Sequence, residues 1–309
     1  MKSVLAILTV VVALVGFWYA ACVPMNIHEA AMQAQRAGEE VTPAEAPERR
    51  HMGRISLALK NTGLWSTVFS QERPQLPAPH QVAQEFWKTT WGMIERGRAF
   101  SKRSLILHGW ITLSATLLGF AFGTALGIVL AVSIVHSRAM DMSVMPWIIA
   151  SQTVPILAIA PMIVVVLAAL SVDDIVAKGV ISMYLSFFPV VVGMVKGLRS
   201  PDAMQMDQMK TWNATRAETL WKLRLPSSTP YLFASLKVGV AASLIGAVVA
   251  ELSLSSNGGL GARLLAGSYY GQTVQIWSAL FAAAALAAVL VWAIGVAQKV
   301  TLKRMGFAQ

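Results

Sequence analysis

Six stretches of about 20 or more mainly apolar residues, at 4–23, 105–135, 144–170, 175–195, 231–252 and 276–296, constrain this chain more than any other feature. A helix crossing the roughly 30 Å hydrocarbon core of a bilayer needs about 20 such residues. Lipid offers no partner to backbone N–H and C=O groups, so the segment must satisfy them internally, and a helix does. The expected fold is all-α, a polytopic membrane helical bundle of about six transmembrane helices. Charged residues make up 13% of the 309 positions, well below the share of about 25% usual in soluble domains, and an ordinary soluble domain is excluded.

The formal net charge is +10, but the basic residues sit at the ends of apolar runs and form no patch interleaved with aromatics. They read as topology signals, and no nucleic-acid partner is expected. Asp173 and Asp174 lie in a connection on one side. Lys196, Arg199, Lys210, Arg216, Lys222, Arg224, Lys299, Lys303 and Arg304 fall in segments that six crossings place on the other. The positive-inside bias makes that second side cytoplasmic, with both termini, and places 24–104 outside. The 24–104 segment is too long for the charge rule to apply to it.

Residues 1–23 are read as the first transmembrane helix, with Gly16-Phe17-Trp18-Tyr19 at an aromatic interface. A cleaved signal peptide is the alternative, since Lys2, the apolar run and Ala20-Ala21-Cys22 imitate a processing site. Either reading leaves Pro24 outside. The single cysteine, Cys22, excludes an internal disulfide framework and is taken as structural.

Within the extracytoplasmic segment, Pro43, Pro47, Pro74 and Pro77 divide residues 24–78 into pieces that read either as short helices or a hairpin, or as a loosely ordered linker. Val82, Phe86, Trp87, Thr90 and Met93 are spaced for an amphipathic helix along the outer membrane surface. In the second run Gly119, Gly123 and Gly127 stack on one helix face, a spacing that lets two backbones approach closely. The third run is interrupted by Pro146, Pro155 and Pro161 and carries Ser151-Gln152-Thr153 near its middle. Such a break is tolerated where protein or a water-filled cavity satisfies the freed backbone, so this helix either lines a path or is a kinked packing helix. Glu251 ends the fifth run, either facing a polar interior or sitting at the outer interface.

Residues 200–229, between the fourth and fifth runs, are too polar for the membrane yet rich in helix signals. Ser200-Pro201-Asp202 offers an N-cap, a proline for the first turn and an acid near the positive helix end. A stop is expected near Trp212, because Asn213 tolerates the left-handed conformation that terminates many helices. Thr215-Arg216-Ala217-Glu218 has the spacing of a capping box and starts a second helix, and Leu225-Pro226 closes the segment. Two short helices with a tight bend suit docking into a groove on another protein. The same basic residues would also hold an interfacial loop on anionic membrane lipid.

The stretch from Asp207-Gln208-Met209 through Asn213, Ala214, Thr215 and Arg216 to Leu225-Pro226 resembles the "EAA" loop of binding-protein-dependent ABC permeases. Asp207 stands at the glutamate position, Gln208 and Met209 at the alanines, and Asn213 at the glycine; the spacing is kept while the identities drift. Ser151-Gln152-Thr153-Val154-Pro155, Phe187-Phe188-Pro189, Gly246-Ala247-Val248-Val249-Ala250-Glu251 and Gly259-Leu260-Gly261 are similar to the nitrate/sulfonate/taurine group, nearest its permeases for thiamine-precursor pyrimidines and riboflavin. The resemblance runs from about Leu76 to Arg304.

It implies a permease core at 105–309 in a bacterial inner membrane, with a coupling loop at 200–229. Asp207, Asn213, Ala214, Thr215, Arg216, Glu218, Leu225 and Pro226 would engage an ATP-binding subunit. A second copy of the chain and an extracytoplasmic substrate-binding protein would complete the assembly. ATP and Mg would belong to the partner subunit, with no cofactor on this chain. By polarity and position, Gln152, Thr153, Phe187, Phe188 and Glu251 are the candidates for lining the translocation path.

An ion-coupled secondary transporter is the alternative function; it would normally show repeated broken helices and intramembrane charges, and no repeat relates the halves. An enzyme would need clustered catalytic groups, yet His28, His51, His80, His108 and His136 are scattered, and no catalytic or metal-ligating set is expected. No Gly-rich loop ending in Gly-Lys-Ser/Thr is present for nucleotide binding.

Overall fold

The computed structural model describes residues 2–253 and 258–306, and among these every regular element is helical. Residues 1–106 with 263–281 form one compact unit, and 107–262 with 282–309 a second.

The first unit opens with α1 (Lys2–Arg36), which runs 35 residues and continues well past the expected end at residue 23. Pro24 lies inside it. The helix persists because Val23, Ile27, Ala30, Ala31 and Ala34 form a helical stripe that buries against the short helices after it. These are α2 (Ala46–His51), α3 (Arg54–Lys60), a 3-10 turn at Thr62–Leu64 and α4 (Trp65–Ser70). Leu57, Ala58, Leu64 and Val68 complete that core, so the short-helix expectation holds for 46–70 and the loosely ordered linker does not. The Asn26 side chain fastens the loop beyond α4 to α1, donating to the Leu76 carbonyl at 2.7 Å and accepting the Leu76 N–H at 3.0 Å.

The expected amphipathic helix is split at Thr90 into α5 (Pro79–Thr89) and α6 (Trp91–Glu95). Trp87 and Trp91 remain exposed beside each other.

In the second unit, α7 (Leu105–His136) is succeeded by α8 (Arg138–Ser151), α9 (Ile156–Ala169) and α10 (Asp174–Leu198). α8 and α9 together make the third apolar run, bent by 98° at the break. After α10 come α11 (Ala203–Thr211), α12 (Arg216–Thr219), a π-turn at Leu220–Arg224 and α13 (Leu225–Ser253). α14 (Leu260–Tyr269) and α15 (Thr273–Arg304) close the chain, both shared between the two units. Among the described residues five helices are long and apolar enough to cross a membrane, or up to six if the bent pair is one span.

The packing of α7 bears on the bent pair. Gly119 faces Ser182, Gly123 faces Ser186 and Gly127 faces Val190, so each α7 glycine meets the residue 63 positions later and the two helices run parallel. A chain that leaves α7 and re-enters parallel in α10 must cross back between them, and the α8–α9 pair makes that crossing. Arg199 and Asp141, 2.8 Å apart, tie the end of α10 to the start of α8 at the same end of the bundle.

The approach of α7 to α10 is close enough to need glycine. A Cβ on Gly119 would lie 2.7 Å from the Gly179 carbonyl oxygen, and one on Gly127 would lie 2.8 Å from Val190 Cβ. α13 joins them antiparallel. Ser243 donates to the Thr116 carbonyl at 2.8 Å, and a Cβ on Gly246 would lie 2.7 Å from Ser182 Cα. Small residues on three facing helices replace the hydrophobic drive that lipid cancels.

Candidate functional site

The polar loop at one end of the α10–α13 hairpin folds from its capping residues. α11 begins later than expected: Asp202, not Ser200, is the N-cap, accepting the Gln205 N–H at 2.7 Å, while Gln205 Oε1 accepts the Asp202 N–H at 3.2 Å. This reciprocal pair outcompetes the shorter Ser200 signal and leaves Pro201 before the helix instead of in its first turn.

The helix ends at Thr211, with Trp212 as its C-cap. Asn213 takes φ 52°, the Asn213 N–H donates to the Lys210 carbonyl at 2.8 Å, and the Ala214 N–H donates to the Met209 carbonyl at 3.0 Å. This is the left-handed helix stop that asparagine can adopt. Thr215 then caps α12 by accepting the Glu218 N–H at 3.2 Å, and Glu218 Oε2 accepts the Thr215 N–H at 2.9 Å. Lys210 pairs with Asp207 at 2.8 Å and Lys222 with Glu218 at 3.0 Å; these solvent-screened pairs contribute little stability.

Leu225-Pro226 does not close the segment. The chain passes from α12 through the π-turn into α13 without leaving helical conformation, and the Leu225 N–H reaches back five residues to the Leu220 carbonyl. Proline supplies no N–H, and the widened turn before Pro226 accommodates the missing donor. The loop is thereby continuous in sequence with a 29-residue helix that runs to the opposite end of the bundle.

Two further groups lie along that bundle. At the α8–α9 break Gln152 and Thr153 are exposed, and Thr153 Oγ1 bonds back to the Ala150 carbonyl at 2.8 Å. Pro155 has no N–H to offer the Ser151 carbonyl, and the Tyr184 hydroxyl of α10 donates to that oxygen instead. The Tyr184 ring lies 6.1 Å from that of Phe187, while Phe187 and Phe188 pack half-buried on the α7–α10 core.

Glu251 sits apart from these, roughly 10 Å further along α10 by helical rise, opposite Lys178. It is wholly buried and presents no surface to a path. The Thr112 hydroxyl lies 2.9 Å from both carboxyl oxygens, and the Gly261 N–H donates to Oε2 at 2.8 Å. Thr112 accepts the Leu260 N–H at 2.9 Å, His108 Nδ1 accepts the Gly259 N–H at 3.0 Å, and the buried Lys178 ammonium donates to the Gly258 carbonyl at 3.2 Å. Side chains from α7, α10 and α13 thus grip the backbone of 258–261. Gly259, at φ +118°, has the Glu251 carboxyl where a Cβ would go.

Thr112, His108 and Lys178 are not among the site candidates read from sequence. Lys178 carried a signal, an ionisable group inside an apolar run. The Glu251 and Leu260 partners of Thr112 are 139 and 148 positions away, beyond any local pattern.

Residues 123–306 match the family described as the inner membrane component of binding-protein-dependent transport systems. The chain belongs to that family. Among its relatives, the formylaminopyrimidine transport permease protein of Halalkalibacterium halodurans is 30% identical over 186 residues, 60% of this chain and 68% of the relative. The riboflavin transport system permease protein of Chloroflexus aurantiacus is 29% identical over 61% of this chain and 65% of its own length. A nitrate import permease protein of Synechocystis is 24% identical over 64% of this chain and 69% of the relative. The matches therefore span about two thirds of these relatives. As a transport component of this family, the chain is matched from within α7 onward, whereas the helical subdomain at 24–104 falls outside the match.

Proposed function

We propose that this chain is the permease subunit of an ATP-driven importer, multi-pass in the inner membrane with both termini cytoplasmic. Two copies form the pore, each loop at 200–229 seats in a cleft of an ATP-binding subunit, and an extracytoplasmic binding protein delivers the ligand. ATP and Mg reside on the partner. The observation that carries this reading is the pair of capped helices hinged at Asn213 and continuous, through the π-turn, with α13. Closure of the ATP-binding subunits would displace α11 and α12, and a rigid helix would carry that displacement along the bundle.

Asp207, Asn213, Ala214, Thr215, Arg216, Glu218, Leu225 and Pro226 are the coupling residues in this scheme. Gln152, Thr153, Phe187 and Phe188 face or border the path at the bent span, and Glu251 secures the outer end of α13. The solute is a small molecule of the kinds named for the relatives, a pyrimidine precursor, a flavin, a sulfonate or nitrate.

Gentle affinity purification from native membranes, with mass spectrometry of the proteins that remain bound, tests the reading. A co-purifying ATPase that is lost when 207–226 is altered supports it. A chain that purifies alone and still moves solute down an ion gradient overturns it in favour of an ion-coupled secondary transporter.

A further inference from the structure

The subdomain outside the family match contains a cavity of about 520 Å³ lined by His28, Arg49, Arg50 and Arg54, with no Asp or Glu in its lining. Arg49 is 3% exposed, yet its guanidinium meets only neutral oxygens: the Pro43 and Ala44 carbonyls, each at 2.7 Å, and the Gln35 side-chain oxygen. Among the described residues, none of the ion pairs involves Arg49, Arg50 or Arg54. Glu39 and Glu40 line a separate cavity of about 370 Å³ on another side of Arg49, without pairing to it. A buried cation with no counter-charge is costly, and like charges converging on one cavity add to that cost. An anion entering the cavity would offset both, and guanidinium groups match the planar, bidentate geometry of oxyanions.

We propose that His28, Arg49, Arg50 and Arg54 bind a small oxyanion, a phosphate, sulfate or carboxylate group carried by a soluble molecule. A lipid phosphate is the competing source. His28 stands about 14 Å along α1 beyond Tyr19 at a rise of ~1.5 Å per residue, outside the headgroup layer if Trp18 and Tyr19 mark the interface. The site is independent of the transport reading, since it uses none of the family-matched residues.

The test is titration of the full chain, purified in nanodiscs of phosphatidylcholine, with inorganic phosphate and with sulfate at constant chloride, read by calorimetry. Saturable binding that Arg50→Gln and Arg54→Gln each weaken about tenfold or more is expected, the loss of one charge-assisted contact. Both side chains are exposed, and thermal unfolding of the variants checks that the fold is kept. No saturable binding, or equal binding by the double variant, overturns the proposal. Repeating the titration in phosphatidylglycerol nanodiscs separates the sources: unchanged binding supports a soluble oxyanion, and binding abolished by the anionic lipid overturns that source in favour of the headgroup phosphate.

Discussion

The Thr112 hydroxyl on α7 lies 2.9 Å from each carboxyl oxygen of Glu251 on α13, and the same hydroxyl accepts the Leu260 N–H at 2.9 Å. One side chain therefore holds two helices and the start of α14 together where no water reaches. Removing a partner from such a set leaves buried polar groups unmet, at about 1–3 kcal/mol for each.

Gly259→Ala is expected to be the most damaging small substitution in this clasp. Its Cβ would enter the Glu251 carboxyl, and its φ of +118° strains any residue with a side chain. Strain and overpacking together cost roughly 2–5 kcal/mol. Gly271→Ala, at φ +63° with open space around it, is the control and should lose about 1 kcal/mol. Thermal unfolding of the two purified variants, followed by tryptophan fluorescence, compares them; equal losses would remove the steric account of Gly259.

On the α7–α10 contact, Gly127→Val should destabilise the bundle by several kcal/mol, because a Cβ there would lie 2.8 Å from both Val190 Cβ and Val190 Cγ1. Gly109→Val, on the same helix with nothing within 4 Å, should be near neutral. Unfolding midpoints in one detergent decide it, and a parallel α7–α10 pair would be refuted by wild-type stability in Gly127→Val.

Much of this architecture was legible because its signals are local. Apolar run length set the spans, four-residue glycine spacing marked the close helix, and Thr215 with Glu218 and Asn213 marked caps and bend. What failed had competitors elsewhere in the chain. The extension of α1 past residue 23 was not legible because the apolar run ends there, while the stripe from Val23 to Ala34 that continues the helix gains meaning only against Leu57 and Val68. Ser200 is the local exception: it lost the N-cap to Asp202, two residues on, because Gln205 closes a reciprocal box. Glu251 was visible as an ionisable group ending an apolar run, at a polar interior or at the outer interface; its burial rests on Thr112 and Gly261, which come from another helix and from beyond the end of its own.

If the 200–229 loop couples as proposed, Asn213→Gly at its bend should preserve ATP-driven uptake, since glycine adopts φ 52° freely. Asn213→Val should reduce it sharply, because a β-branched residue resists that region by about 1–2 kcal/mol and would extend α11 into α12. Reconstituted vesicles holding the full assembly measure both uptake and ATP hydrolysis. Equal uptake by the two variants would show that the left-handed turn is dispensable for coupling.

Tyr184→Phe tests the bent span most selectively, because it deletes one oxygen and leaves the ring that meets Phe187. Pro155 denies the Ser151 carbonyl its helical donor, so the Tyr184 hydroxyl is what compensates that oxygen. Its loss leaves that carbonyl only the long 3.4 Å bond from the Val154 N–H, at a cost of about 0.5–1.5 kcal/mol unless water enters. A path wide enough to admit water would absorb most of that cost, whereas a dry kink would bear all of it. An unfolding midpoint close to wild type with altered uptake would therefore place the break against a water-filled path. A large drop in the midpoint would make residues 151–155 a packed kink, with Gln152 and Thr153 serving the bend instead of the solute.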